Sequence, residues 1–164
     1  MYKIDKRSLL LRSGKALFHT QDLAVLWQIA NRNTLYTTIK RYLKNEILIP
    51  VTKGLYSTLP LSQINKYALG AAISHRFCYV SCETVLSETG VINQEIIPIT
   101  FVSSVSLRIE LNGTEYIFRK MKPEILLDMN GVEKKDGYFI ATRERAISDM
   151  IYFNPKYYFD NEQR

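Results

Sequence analysis

The chain has 164 residues, 46% of them hydrophobic and 23% charged, and a formal net charge of +6. Such a chain holds one ordinary domain or two small ones, and it buries about 70% of its unfolded surface without needing a disulfide or a metal. The proportions exclude widespread disorder and rod-like folds. No run approaches the ~18 apolar residues of a membrane span, and Leu9-Leu10-Leu11 is too short for a signal peptide, so the expected compartment is the cytoplasm.

Residues 4–13 carry a short helical pattern with Leu9 and Leu10 inward, and Ala16-Leu17-Phe18-His19 reads as extended. Thr20 is the expected cap of a second helix, with Asp22 near the positive end of its dipole and Leu23, Leu26 and Trp27 on one face. After a break at Ala30-Asn31, Asn31 is placed to cap a third helix over 32–44. Its expected buried stripe is Leu35, Ile39, Tyr42 and Leu43, and its opposite side holds Arg32, Asn33, Tyr36, Thr37, Lys40, Arg41 and Lys44. Two β-prone runs, 47–51 and 55–58, flank Thr52-Lys53-Gly54 and predict a hairpin. Three helices followed by a two-stranded ribbon is the order of a winged helix-turn-helix.

Pro60 marks the expected domain boundary. Beyond it, Ser62 is the expected cap of a helix to 75, with Ile64, Tyr67, Ala68, Ala71 and Ala72 on one side. A strand over 77–80 leads to a helix capped by Ser81 and running to about Glu88. Ile99 to Leu111 reads as one long extended stretch that turns back at Asn112-Gly113. A two-residue type I′ turn there puts Glu110 opposite Glu115, an unfavourable pair that Arg108 or another base must offset unless the register differs. A second hairpin turns at Asp136-Gly137, and Thr142 caps a last helix with Ala146, Ile147, Met150 and Ile151 as its stripe. The expected fold is α+β: a winged helix-turn-helix over 1–60, then a mixed α/β domain over 61–164 built on β-hairpins and flanking helices.

The charge is unevenly divided. Residues 1–60 hold ten bases and three acids, a net +7, and the remainder is at −1. A basic block confined to one domain is the footprint of a polyanion-binding surface. A helix in the major groove needs small polar and basic side chains on its outer face. Arg32 suits guanine and Asn33 suits adenine, while Thr34, Tyr36 and Thr37 offer hydroxyls or a methyl group. Lys40, Arg41 and Lys44 are placed for phosphates, and Lys53 at the hairpin tip for the backbone or the minor groove. The competing explanations are a solvated amphipathic helix, or a winged domain used only for protein contact.

No enzyme is expected. The chain lacks G-x-S-x-G and a P-loop. His75, Cys78 and Cys82 have the spacing of three metal ligands, but a structural zinc site wants four, so neither metal nor cofactor is expected. The enzymatic alternative is a metal-dependent nuclease using Asp128, Glu133 and Lys135, which crowd around one turn rather than paired strands. Arg119, Lys120 and Lys122, with Arg143 and Arg145, form two basic patches suited to an acidic partner or RNA; solvated surface is the plainer explanation.

Several segments carry a family likeness. DLAVLWQIANRNTLYTTIKRYLKNEILIPVTKGLYS (22–57) resembles the winged-helix part of AbiEi-type abortive-infection antitoxins. YVSCETVLSETGVI (79–92), IPITFVSS (97–104), FRKMKPEILLD (118–128) and IATRERAISDMIYF (140–153) are similar to the family's second half. The order and spacing cover most of 20–158, and the joint occurrence of both halves is more specific than either alone. The resemblance implies a first domain that binds inverted repeats in duplex operator DNA and represses its own operon. It implies a second domain that neutralises a cognate nucleotidyltransferase toxin, in the type IV manner without a stable complex. It gives Arg32, Asn33, Thr34, Thr37, Lys40 and Lys44 recognition-helix roles, with Lys53 on the wing, and points only to the region 118–150 for antitoxin action. Relatives often continue into a further helix, so the resemblance implies a short or truncated member. The alternative is a winged-helix transcriptional regulator whose second domain senses a ligand or dimerises.

Overall fold

The computed structural model describes residues 5–95 and 98–159. Ile4, where the first helical pattern begins, Lys3 of the basic block and residues 160–164 lie outside them. The chain is α+β and divides into two compact units, residues 1–65 and 66–164, where the sequence suggested a boundary after 60.

The first unit contains α1 (Lys6–Arg12), β1 (Leu17–His19), α2 (Thr20–Trp27), α3 (Arg32–Lys44), β2 (Ile49–Thr52) and β3 (Leu55–Ser57), and it closes with a 3-10 turn over Leu61–Gln63. The N-cap of α2 is His19, one residue before the expected Thr20. Asp22 explains the shift: its Oδ2 reaches back to accept from the His19 N–H at 2.8 Å. The Thr20 N–H is free to donate to the Gly54 carbonyl at 3.0 Å, which ties the start of α2 to the hairpin turn. Gln28 ends α2 in the left-handed region at φ 55°, and Asn31 opens α3 by accepting from the Thr34 N–H at 3.0 Å.

The buried positions of α3 are Leu35, Thr38, Ile39 and Tyr42, while Leu43 is only half-buried. Thr38 sits inside because its hydroxyl donates to the Thr34 carbonyl at 2.8 Å and so brings no unsatisfied polar group with it. Leu35, Ile39 and Tyr42 join Leu10, Phe18, Leu23, Trp27 and Leu48 in one core. Trp27 and Tyr42 meet at 5.0 Å between ring centroids. The expected two-stranded ribbon is a three-stranded sheet, because β1 pairs with the free side of β3 in the order β1-β3-β2. Pro50 lies on the edge strand β2, where a residue without an N–H does least harm, and the register slips between Pro50 and Thr52.

The second unit contains α4 (Lys66–Ile73), β4 (Cys78–Val80), α5 (Glu83–Glu88), β5 (Ile99–Ser103), β6 (Leu107–Leu111), β7 (Thr114–Lys120), α6 (Pro123–Leu126), β8 (Val132–Lys134), β9 (Phe139–Ala141) and α7 (Arg143–Phe153). Its sheet runs β6-β7-β5-β4-β9-β8. β5 runs parallel to β7 and β4 to β9, and the other pairings are antiparallel. Helix α4 lies close against the sheet at Gly70, where a Cβ would stand 2.5 Å from the Phe101 ring and 2.6 Å from the Tyr116 ring. Phe101 in turn stacks on Phe118 with centroids 5.1 Å apart.

Four expectations change here. The helix expected over 62–75 is two pieces, the 3-10 turn and α4, separated by extended backbone at Ile64. Ser81 does not cap α5; its hydroxyl is buried and donates to Asp149, and Cys82 occupies the cap position. The stretch 99–111 is two strands, β5 and β6, with β7 inserted between them in the sheet. The inward stripe of α7 is Ala146, Asp149 and Met150, with Ile151 47% exposed, so the helix is rotated from the purely apolar reading. The Asn112-Gly113 turn has the expected backbone, with φ of 51° and 77°. It sets Glu110 opposite Glu115, and Arg108 bridges Glu115 at 3.2 Å.

Candidate nucleic-acid interface

Helix α3 has two unlike sides. Leu35, Thr38, Ile39 and Tyr42 dock it onto its unit, and Arg32, Asn33, Thr34, Tyr36, Thr37, Lys40, Arg41 and Lys44 are all exposed. The helix carries four bases and no acid. Arg41 and Lys44 lie in its last turn, where they also complement the negative end of the dipole. The Arg32 guanidinium stands 5.5 Å from the centre of the Tyr36 ring, so two of the groove-reading candidates share one orientation. The Arg41 guanidinium lies 5.9 Å from the Tyr42 ring, which holds its stem along the helix. The Thr37 hydroxyl donates to the Asn33 carbonyl at 2.8 Å, leaving it an acceptor and a methyl group to present. Thr34 is drawn toward the cap, its hydroxyl 3.3 Å from Asn31 Oδ1.

Lys53 is exposed in the two-residue turn between β2 and β3, beside Gly54 at φ 75°. Of the three acids among the first 60 residues, Asp22 is occupied at the start of α2, and Asp5 and Glu46 are outside α3. The outer face of α3 therefore has no carboxylate of its own to neutralise it.

The five basic residues singled out in the second unit separate into two kinds. Lys120, Lys122 and Arg143 are exposed. Arg119 is half-buried, paired with Glu83 at 2.7 Å and lying over the Phe153 ring at 5.6 Å. Arg145 is not a surface residue: its side chain is 9% exposed and every donor is engaged within the unit. Its Nε donates to Asp149 at 3.2 Å, one terminal nitrogen donates to the carbonyls of Asp128 and Asn130, and the other to the Ile125 carbonyl and the Tyr79 hydroxyl. Asp149, 2% exposed, also accepts from Tyr79 and Ser81. Burial pushes the Asp149 carboxyl above its ordinary range, against the pull of the Ser81 hydrogen bond and the Arg145 charge.

This network of Tyr79, Ser81, Arg145 and Asp149 joins β4, α7 and the loop after α6, and sequence reasoning missed it. The available signal was an Arg–Asp pair at i, i+4 whose Asp falls between Ala146 and Met150 on the inward stripe. Cys78 and Cys82 are buried free thiols, pushed up by burial to about 11 and about 12. Among the described residues no group of three His, Cys, Asp or Glu side chains is arranged to hold a metal ion. Of the proposed nuclease trio, Glu133 and Lys135 pair with each other at 3.5 Å, and Asp128 accepts from the Asn130 N–H. No helix among the described residues is long and apolar enough to cross a membrane. No protein-family model and no curated protein matches this chain.

Proposed function

We propose that the first unit is a winged helix-turn-helix that binds duplex DNA through α3, with Lys53 on the wing. We further propose that the chain is a DNA-binding antitoxin that represses its own operon and opposes a cognate nucleotidyltransferase toxin through its second unit. The observation that carries the DNA reading is the unbroken exposed face of α3, four bases and no acid opposite a docked apolar side. Phosphate contacts from Lys40, Arg41 and Lys44 supply affinity, and contacts from Arg32 and Asn33 supply base choice. The antitoxin reading rests on the likeness of both halves of the sequence to AbiEi-type antitoxins. A cytoplasmic location follows from the same reading.

Gel shifts with the full chain and the DNA upstream of its own gene test the first part. Lys40→Glu with Lys44→Glu weakens binding to operator and unrelated duplexes alike. Arg32→Ala or Asn33→Ala instead narrows the gap between them, by about 1–3 kcal/mol per lost bidentate contact. Unchanged affinity in all of these variants refutes the assignment of α3. The second part is tested by co-expression with the product of any nucleotidyltransferase gene encoded alongside. The Lys40/Lys44 variant loses repression and keeps rescue from toxicity; failure of the unaltered chain to rescue refutes the antitoxin role. In that case the second reading stands, a winged-helix regulator whose second unit dimerises, which the open edge of β6 favours.

A further inference from the structure

The six-stranded sheet ends in two strands of different character. β8 is short, three residues, with Glu133 and Lys134 exposed along it, the usual guard against unwanted pairing. β6 is five residues, Leu107-Arg108-Ile109-Glu110-Leu111, with no Lys, Pro or bulge, and it pairs with β7 in unbroken register. Leu111 and Thr114 flank the two-residue turn, so the pairs Leu111–Thr114, Ile109–Tyr116 and Leu107–Phe118 are the hydrogen-bonded ones. By the alternation of an antiparallel ladder, the N–H and C=O of Arg108 and Glu110 face away from β7. Among the described residues, no backbone bond outside that ladder uses them.

The side chains of this edge are unbalanced within one chain. Glu110 stands opposite Glu115, a like-charge pair. Arg108 bridges Glu115 and not Glu110, and Glu110 belongs to no ion pair among the described residues. On the other face of the strand, Leu107 is 39% exposed and Ile109 and Leu111 are half-buried at the rim of the core.

We propose that β6 pairs antiparallel with β6 of a second copy of this chain about a two-fold axis through Ile109, joining two six-stranded sheets into one. The occupant follows from the charges. Only Arg108 and Glu110 turn their backbone groups outward, so the permitted antiparallel registers differ by steps of two residues. One such register sets Arg108 against Arg108, and another sets Glu110 against Glu110. The register centred on Ile109 sets Arg108 of each copy against Glu110 of the other, with four backbone hydrogen bonds between them. Glu110 thereby gains the cation it lacks. On the apolar face Leu107 meets Leu111 twice and Ile109 meets itself, which extends the layer under Tyr116 and Phe118. Such an interface is self-complementary and closes at two copies. The pairing stands independently of the DNA reading.

Sedimentation equilibrium and light scattering on the full chain test it. The unaltered protein moves from 19.1 kDa toward twice that mass as its concentration rises through the micromolar range. Arg108→Glu alone and Glu110→Arg alone each create two like-charge pairs across the axis and raise the dissociation constant about tenfold or more. Combining the two substitutions restores opposite charges and returns dimerisation toward the unaltered value. A second measurement reads the register directly. Residues 109 of the two copies form a non-hydrogen-bonded pair, with Cα atoms about 4.5 Å apart, within disulfide reach. Ile109→Cys therefore gives a covalent dimer on mild oxidation with diamide, and Arg108→Cys does so far less. A chain that stays monomeric up to about 100 µM overturns the proposal. So does a dimer indifferent to both charge reversals, or one that gives no cross-link at 109.

Discussion

Arg41 lies in the last turn of α3 and Arg145 in the first turn of α7, and the two units use these helical arginines in opposite ways. In the first unit the bases of α3 stand in water with no carboxylate among them, and the unit is held together by an apolar core and locally capped helices. In the second unit Arg145 is inside, closing three backbone carbonyls and a buried carboxylate. A base that faces water is available to a polyanion; a base that completes a buried network belongs to the fold. Net charge counted along the chain does not distinguish them, whereas burial and partners do.

That contrast gives expectations of decreasing size. Asp149→Ala leaves Arg145 buried without its carboxylate and takes away the acceptor to which the Tyr79 and Ser81 hydroxyls donate. It costs about 3–5 kcal/mol in urea unfolding of the full chain, whereas Arg41→Ala shifts the same curve by no more than about 0.5 kcal/mol. If the two substitutions cost the same, the division between interior and surface bases is wrong. Gly70→Ala forces a methyl group against the Phe101 and Tyr116 rings and costs about 1–3 kcal/mol by the same measurement. Asn31→Ala removes the cap of α3 and costs about 1 kcal/mol; it also weakens any activity that depends on α3. Smallest in stability terms is the behaviour of the thiols. Burial holds Cys78 and Cys82 protonated up to about 11 and about 12, so neither reacts with a thiol reagent at pH 8 until the chain is unfolded in urea. Prompt labelling of the native protein contradicts their placement.

The first unit is the more legible of the two in the sequence, because its signals are local. Asn31 precedes a helical stripe and caps it, Lys53-Gly54 sits between two β-prone runs, and the polar residues of α3 face outward as their spacing implies. The small errors there are also local: Asp22 moves the start of α2 to His19, and Thr38 hides its hydroxyl within the helix and takes a buried place. The second unit depends on partners far apart in the chain. Ser81 looks like a cap until Asp149, 68 residues away, claims its hydroxyl. Residues 99–111 look like one strand until β7 comes between their two halves. The apolar letters of α4 run back through Ile64, so the pattern overruns Asn65, a residue type that favours helix starts. What could be read in that unit from neighbours alone is the Asn112-Gly113 hairpin, with Glu110 facing Glu115 and Arg108 relieving it, the β8–β9 hairpin around Asp136-Gly137, and the Thr142 cap of α7.

The most direct test of the DNA reading is the salt dependence of binding. Fluorescence anisotropy of a labelled duplex of the chain's own upstream DNA, titrated with the full chain from about 50 to 200 mM salt, gives a linear fall of log affinity with log salt. Lys40→Glu with Lys44→Glu lowers affinity at every salt concentration and flattens the slope by about one per lost phosphate contact. Binding that ignores salt, or a slope unchanged by reversing both lysines, would contradict an α3 that grips phosphates.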